Sequence, residues 1–275
     1  MLLAVSGLML LSCSSINMVS CNQKIAYKQI YIVSFQPFYT EEGPEPSVEG
    51  WELPDGFDCY AKLIQGAGDY LTDNIDTIQY KSCAKQEEYI QPSSFAKLGK
   101  NQIIMFEGHG SFVPIVEDEP EAYSVMWTGR DWNATPAPEQ DDVDELRIVP
   151  AETYHEAITL HFVEKYVNDL SGSIVYLGNC YSGREVTFAQ AFLNKGAEAV
   201  IGNSDTIQVA YNSLMEYTTI KKLGEINPDT NLPYTIYEAL EYAKSIYGKN
   251  DKEKYPAARG AEPLLFGNPN FRISK

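Results

Sequence analysis

Three short apolar runs set the main limit on how this chain can fold. Residues 102–106 (Gln-Ile-Ile-Met-Phe), 173–178 (Ser-Ile-Val-Tyr-Leu-Gly) and 197–202 (Ala-Glu-Ala-Val-Ile-Gly) are close to continuously apolar rather than alternating. Strands buried on both faces of a parallel sheet have that pattern. A further strand is expected over 25–35, rich in β-branched and aromatic residues, and another over 75–80. Helical spacing marks 60–71, 151–170, 184–194, 209–223 and 234–247. Strands alternating with helices predict an α/β fold, a three-layer αβα sandwich around a mostly parallel central sheet. Residues 37–54 read as a loop. The polar stretch 113–150 has no clear period and reads as an excursion over the sheet edge or the rim of a site. With no internal repeat, 22–275 is expected to form a single domain.

The formal charge is −17, from 38 acidic against 21 basic residues. An excess of this sign repels phosphate backbones and anionic lipid head groups, so nucleic acid is not an expected partner. The acidic residues concentrate at 117–121 and 139–145, which read as solvated loops. Calcium is the one cation such runs suit, although neither has the regular Asp-x-Asp-x-Asp-Gly spacing, and no other cofactor is expected.

Residues 1–13 form an apolar run too short to span a bilayer but suited to a secretory signal. Leu10-Leu11-Ser12-Cys13 has the form of a bacterial lipobox, which makes Cys13 a lipidation candidate and 1–21 a signal or tether. The chain is then secreted or anchored to the cell envelope, touching membrane only through its N-terminus. No basic residues precede the run, and an apolar N-terminal strand or helix also fits it. Of the other cysteines, Cys59 and Cys83 are either a disulfide of an oxidising compartment or two small buried thiols; Cys21 is left over.

Two of the buried runs end in chemistry. Residues 102–106 lead into Glu107-Gly108-His109-Gly110, and 173–178 into Asn179-Cys180-Tyr181-Ser182-Gly183. In open α/β sheets, sites form where loops leave the carboxyl ends of the strands, so His109 and Cys180 are expected to share one edge. A thiol is the strongest side-chain nucleophile near neutral pH, and an imidazole can take its proton and later return it to a leaving amine. The amides of Gly110 and Cys180 are candidate oxyanion donors, and no metal is needed. All three histidines, His109, His155 and His161, precede Cys180. That order excludes a papain-like enzyme and an α/β-hydrolase built on Cys180. His155 and His161 lie six residues apart on the helix expected over 151–170, a spacing that does not align two ligands, so both read as packing residues. Trp127 and Trp132 are read the same way.

An apolar strand ending in His-Gly, followed by one ending in a small or polar residue and Cys, resembles the caspase, legumain, gingipain and clostripain group of cysteine peptidases. Residues 193–202 look like the strand that follows the cysteine helix in gingipain-like and bacterial caspase-like members. Residues 264–269 are similar to their Gly-Asp-Pro ending, with Asn268 where that pattern has Asp. The resemblance implies the caspase-hemoglobinase fold and an endopeptidase acting on peptides or proteins through a His-Cys dyad and a thioester. His109 would be the general acid or base, Cys180 the nucleophile and Gly110 an oxyanion donor. It also implies selectivity for the side chain just before the cleaved bond. Ser204-Asp205-Thr206 is then a candidate pocket wall where Asp205 would favour Arg or Lys, or Asp205 caps the helix that begins nearby. Glu107 either orients the imidazole or ends its strand. Two rival functions share these residues: a non-catalytic lipoprotein module on the same fold, and a thioester acyl transferase.

Overall fold

A computed structural model describes residues 30–35, 78–84, 89–114, 122–152 and 154–273. The N-terminal signal run with Cys13, Cys21 and Cys59, the loop 37–54 and the helix expected over 60–71 lie outside the described residues. So does the Cys59 half of any disulfide with Cys83.

Among the described residues the main sheet has six strands: β1 (Ile30–Phe35), β2 (Ile78–Ala84), β3 (Gln102–Glu107), β8 (Ile174–Gly178), β9 (Ala199–Asn203) and β12 (Pro263–Gly267). Their order is β12-β9-β8-β3-β1-β2. Every neighbouring pair is parallel except β12 with β9. The three runs that anchored the sequence reading are its centre, with every residue of β3, β8 and β9 buried.

Because side chains alternate across a strand, these runs supply two separate cores. Ile103, Met105, Ile174, Tyr176, Ala199 and Ile201 face one way. They pack against Tyr211, Met215 and Leu240 from the helices Val209–Leu223 and Ile236–Tyr247. Ile104, Phe106, Val175, Leu177 and Val200 face the other way, toward Phe95, Phe162, Phe188 and Phe192. Those phenylalanines come from α1 (Pro92–Phe95), α3 (Leu160–Tyr166) and α4 (Val186–Asn194). The result is the αβα sandwich expected from the sequence, with α5 (Val209–Leu223) and α6 (Ile236–Tyr247) forming the opposite layer.

Two expectations are corrected. The stretch 113–150, in which the sequence shows no period, carries regular elements over its described residues. With its flanks it contributes β4 (Gly110–Pro114), β5 (Ala122–Asp131), α2 (Gln140–Asp144) and β6 (Ile148–Ala151). Together with β7 (His155–Ile158), the strands form a second, antiparallel sheet in the order β4-β5-β7-β6, and β10 (Ile226–Asn227) pairs with β11 (Leu232–Pro233) in a separate short hairpin. The helix expected over 151–170 is confined to Leu160–Tyr166, where Thr159 caps it by accepting the His161 amide at 3.1 Å. The residues before that cap pair with β5 and β6 instead, so His155 lies on a strand and His161 on a helix.

Candidate active site

The parallel pairing of β3 with β8 ends with Glu107 opposite Gly178. His109 and Cys180 therefore each stand two residues past the same rung, at the carboxyl edge of adjacent central strands. Between the end of β3 at Glu107 and the start of β4 at Gly110 the chain passes from one sheet to the other, and His109 is in that crossing. The crossing is tight. A Cβ on Gly110 would lie 2.6 Å from the Cys180 carbonyl oxygen and 3.0 Å from that of Val125. Only glycine lets the two backbones approach this closely.

The carbonyl of His109 accepts from the Trp127 amide at 3.0 Å and from Asn179 Nδ2 at 3.1 Å. Its ring lies beside the Trp127 indole, with centroids 5.1 Å apart, and His155 stacks on that indole at 4.0 Å and 19°. Trp127 is itself fixed: Nε1 donates to Ser111 Oγ at 2.9 Å, and Ser111 Oγ donates to Glu152 Oε1 at 3.2 Å. His109 is exposed as a residue, yet the cover over its imidazole holds the pKa below the usual 6.5. Desolvation is the largest cause, the charge of His155 adds to it, and Glu152 opposes it.

Cys180 is half-buried and a free thiol. Burial pushes the thiol above its ordinary value; hydrogen bonds from the backbone of Ile207 and from its own backbone pull it down, while Asp205 and Asp251 add to the rise. Both groups thus rest uncharged at neutral pH, a neutral imidazole and a protonated thiol.

Under the edge is a buried polar knot that the sequence reading missed. Asn203 Nδ2 donates to the Asn179 carbonyl and to Asn212 Oδ1, each at 3.2 Å, and Asn212 Nδ2 donates to the Glu107 carboxylate at 3.0 Å. Ser182 Oγ donates to the Leu177 and Asn179 carbonyls at 2.7 and 2.9 Å and accepts the Asn203 amide at 2.9 Å. These bonds tie the ends of β3, β8 and β9 to α5 and fix the turn that carries Cys180. Glu107 is 1% exposed and belongs to this knot. The only advance signal was a cluster of Asn and Ser at the ends of apolar runs, which has no periodicity.

Asp205 is half-buried, and its carboxylate accepts the Thr206 amide at 2.7 Å. It does not cap the next helix. Gln208 does, accepting the amides of Ala210 and Tyr211 at 2.6 and 3.4 Å. Ser204 serves the sheet: its Oγ accepts the Glu262 amide at 2.9 Å and its own amide donates to the Glu262 carbonyl at 3.0 Å, next to β12. His161 is exposed and pairs with Glu164 at 3.2 Å. Among the described residues no three His, Cys, Asp or Glu side chains converge on a metal site, and no helix is long and apolar enough to cross a membrane.

No protein-family model matches the chain, and neither does any curated protein sequence. Among solved structures it is similar to the crystal structure of the Arg-specific cysteine proteinase gingipain R (RgpB). The TM-score is 0.48 at 16% identity, covering 90% of this chain and 47% of that one. It is also similar to the complex of the Porphyromonas gingivalis RgpB pro- and mature domains, with a TM-score of 0.46 at 16% identity over 89% of this chain and 48% of that one. The chain spans about half the length of these structures.

Proposed function

We propose that this chain is a cysteine endopeptidase of the caspase and gingipain type in which His109 and Cys180 act as a dyad. The observation that carries the reading is the shared rung. Two residues past the Glu107–Gly178 pair, an imidazole and a thiol leave adjacent strands, with the Gly110 backbone against the Cys180 carbonyl. Because both groups rest uncharged, chemistry begins with proton transfer. His109 takes the Cys180 proton as the sulfur attacks the peptide carbonyl, and the Gly110 and Cys180 amides hold the oxyanion. On collapse the C–N bond breaks and the amine leaves with the proton from His109. Water, deprotonated by the same imidazole, then attacks the thioester, releases the acid and restores the thiol.

Asp205 is the proposed selector of Arg or Lys before the cleaved bond, supported by its half-buried carboxylate close enough to Cys180 to raise the thiol. Export with lipid on Cys13 is proposed from Leu10-Leu11-Ser12-Cys13, and labelling with a lipid precursor against Cys13→Ala tests it.

The test of the dyad is covalent. A panel of peptidyl acyloxymethyl ketones ending in Arg, Lys, Asp, Asn or Leu is applied to the protein and the adduct read by mass spectrometry. Labelling is expected at Cys180, strongest with Arg or Lys, and lost in His109→Ala. Equal labelling of wild type and His109→Ala by every probe would remove His109 from the chemistry.

A further inference from the structure

Tyr181 follows Cys180 directly and is pinned at each of its polar groups. Its amide donates to the Asp205 carbonyl at 3.1 Å, its carbonyl accepts Ser124 Oγ at 2.6 Å, and its phenol oxygen accepts Thr206 Oγ1 at 2.8 Å. Its backbone lies at φ 61°, in the left-handed region that a non-glycine residue keeps only when its surroundings force it. This rigid ring carries two arginines. The Arg184 guanidinium lies 5.4 Å from the Tyr181 ring centroid and 4.6 Å from that of Phe112 on β4, and Arg259 Nη1 donates to the Tyr181 hydroxyl at 3.4 Å.

Both arginines are exposed, and among the described residues they differ from the other arginines in their pairing. The chain has five arginines. Arg130, Arg147 and Arg272 pair with Glu156, Asp142 and Glu238. Arg184 and Arg259 pair with no carboxylate among the described residues, on a protein with 38 acidic groups. The acids beside them are engaged by backbone amides. Glu185 accepts those of Ser124 and Thr187, Asp205 that of Thr206, and Asp251 those of Gln208, Gly260 and Ala261. A guanidinium held over a ring keeps its in-plane N–H groups available for a planar carboxylate, and stacking reduces the side-chain freedom lost when one binds. Two like charges are gathered on one fixed ring, one residue from the thiol, on a chain of net charge −17.

We propose that Arg184 and Arg259, mounted on Tyr181, form an anion-binding rim beside Cys180 whose ligand is the Asp or Glu side chain of a peptide substrate. The inference rests on the peptidase reading and extends it to the substrate, which carries an acidic residue near the cleaved bond in addition to the residue that fills the pocket before it.

A randomised peptide library is cleaved by the full chain, and the Glu-to-Gln and Asp-to-Asn ratios are read at each position around the cut by mass spectrometry. One position is expected to favour the acid about five- to tenfold at low salt, the scale of a charge-assisted contact at a partly exposed site. The ratio should fall toward one in the Arg184→Gln, Arg259→Gln double variant and persist in the exposed-surface control Lys252→Gln. Ratios below twofold at every position, or an acid preference kept by the double variant, would overturn the rim. The same library passed over immobilised Cys180→Ala chain separates the two claims. Retention of Glu over Gln peptides, abolished in the double arginine variant but with no cleavage by wild type, keeps the rim and removes the peptidase. Equal retention of Glu and Gln peptides removes the rim whatever is cleaved. Displacement of all peptides by inorganic phosphate alone, with no acid preference, would also overturn it, identifying a site for small anions.

Discussion

His109 and Cys180 have environments that push their pKa values apart, the imidazole down and the thiol up. A base is useful only while neutral, so a lowered pKa keeps His109 competent at lower pH than a free histidine. The acid limb of kcat/KM should therefore fall below pH 6.5. Two neighbours move it in opposite directions. His155→Asn removes a repelling charge, so the His109 value rises and the limb shifts up toward 6.5; Glu152→Gln removes an attracting charge and shifts it down. A pH–rate profile of both variants checks this, and shifts of the same sign would contradict it. At this scale the positions of His109 and Cys180 at one sheet edge were legible in the sequence because each follows an apolar run that suits a buried strand. Trp127 and His155 were not, because the sheet that brings them beside His109 is made by pairing between distant segments. No local period announces such pairing.

The same contrast separates the elements. β3, β8 and β9 were readable because both faces meet apolar layers, so their interiors, 103–106, 174–178 and 199–202, are apolar or small, and polar residues stand only at their ends. β5 is as firmly a strand, but several residues it buries are polar. Ser124 and Thr128 are 2% and 0% exposed, and Arg130 reaches Glu156 on β7 at 3.3 Å. A strand whose inward positions carry hydroxyls and a charge shows no alternation, and so 113–150 reads as an excursion without a period. The helix expected over 151–170 failed for a related reason: Glu156, 2% exposed, fits a helical pattern in sequence but is held in β7 by Arg130 and the strand ladder. This pair is itself a test of the second sheet. Arg130→Met leaves Glu156 buried without its cation and should lower stability at neutral pH by about 3 kcal/mol, the scale of breaking a buried pair. The folded-state pKa of Glu156 is already raised above 4.5 by burial, with Arg130 opposing the rise, so the variant raises it further. The added cost is then absent below the wild-type folded pKa, where Glu156 is protonated in wild type and variant alike, and grows as pH rises through it. Urea unfolding at pH 4 and pH 7 measures it. An equal cost at both values would mean that lost packing, rather than the unpaired carboxylate, accounts for the effect.

For the molecule as a whole, the decisive feature is that two sheets meet across the two residues Gly108 and His109. The parallel sheet fixes where His109 and Cys180 emerge, and the antiparallel sheet supplies Trp127, His155 and the Ser111–Glu152 link that surround the imidazole. The sandwich was legible from the order of strands and helices; the meeting of the sheets was not, since Gly110 reveals its role only when the Cys180 carbonyl lies 2.6 Å from where its Cβ would be. The acidic surface belongs to this scale as well, because it makes the two arginines beside Cys180 a local exception to the field around them. The central claim is that His109 and Cys180 act as one unit. Hydrolysis of a peptide substrate by wild type, Cys180→Ala, His109→Ala and the double variant tests that most directly. If they form a dyad, each single variant loses about a thousandfold or more in kcat/KM and the double variant loses no more than the worse single one. Wild-type rates in either single variant, or losses that multiply in the double, would contradict it.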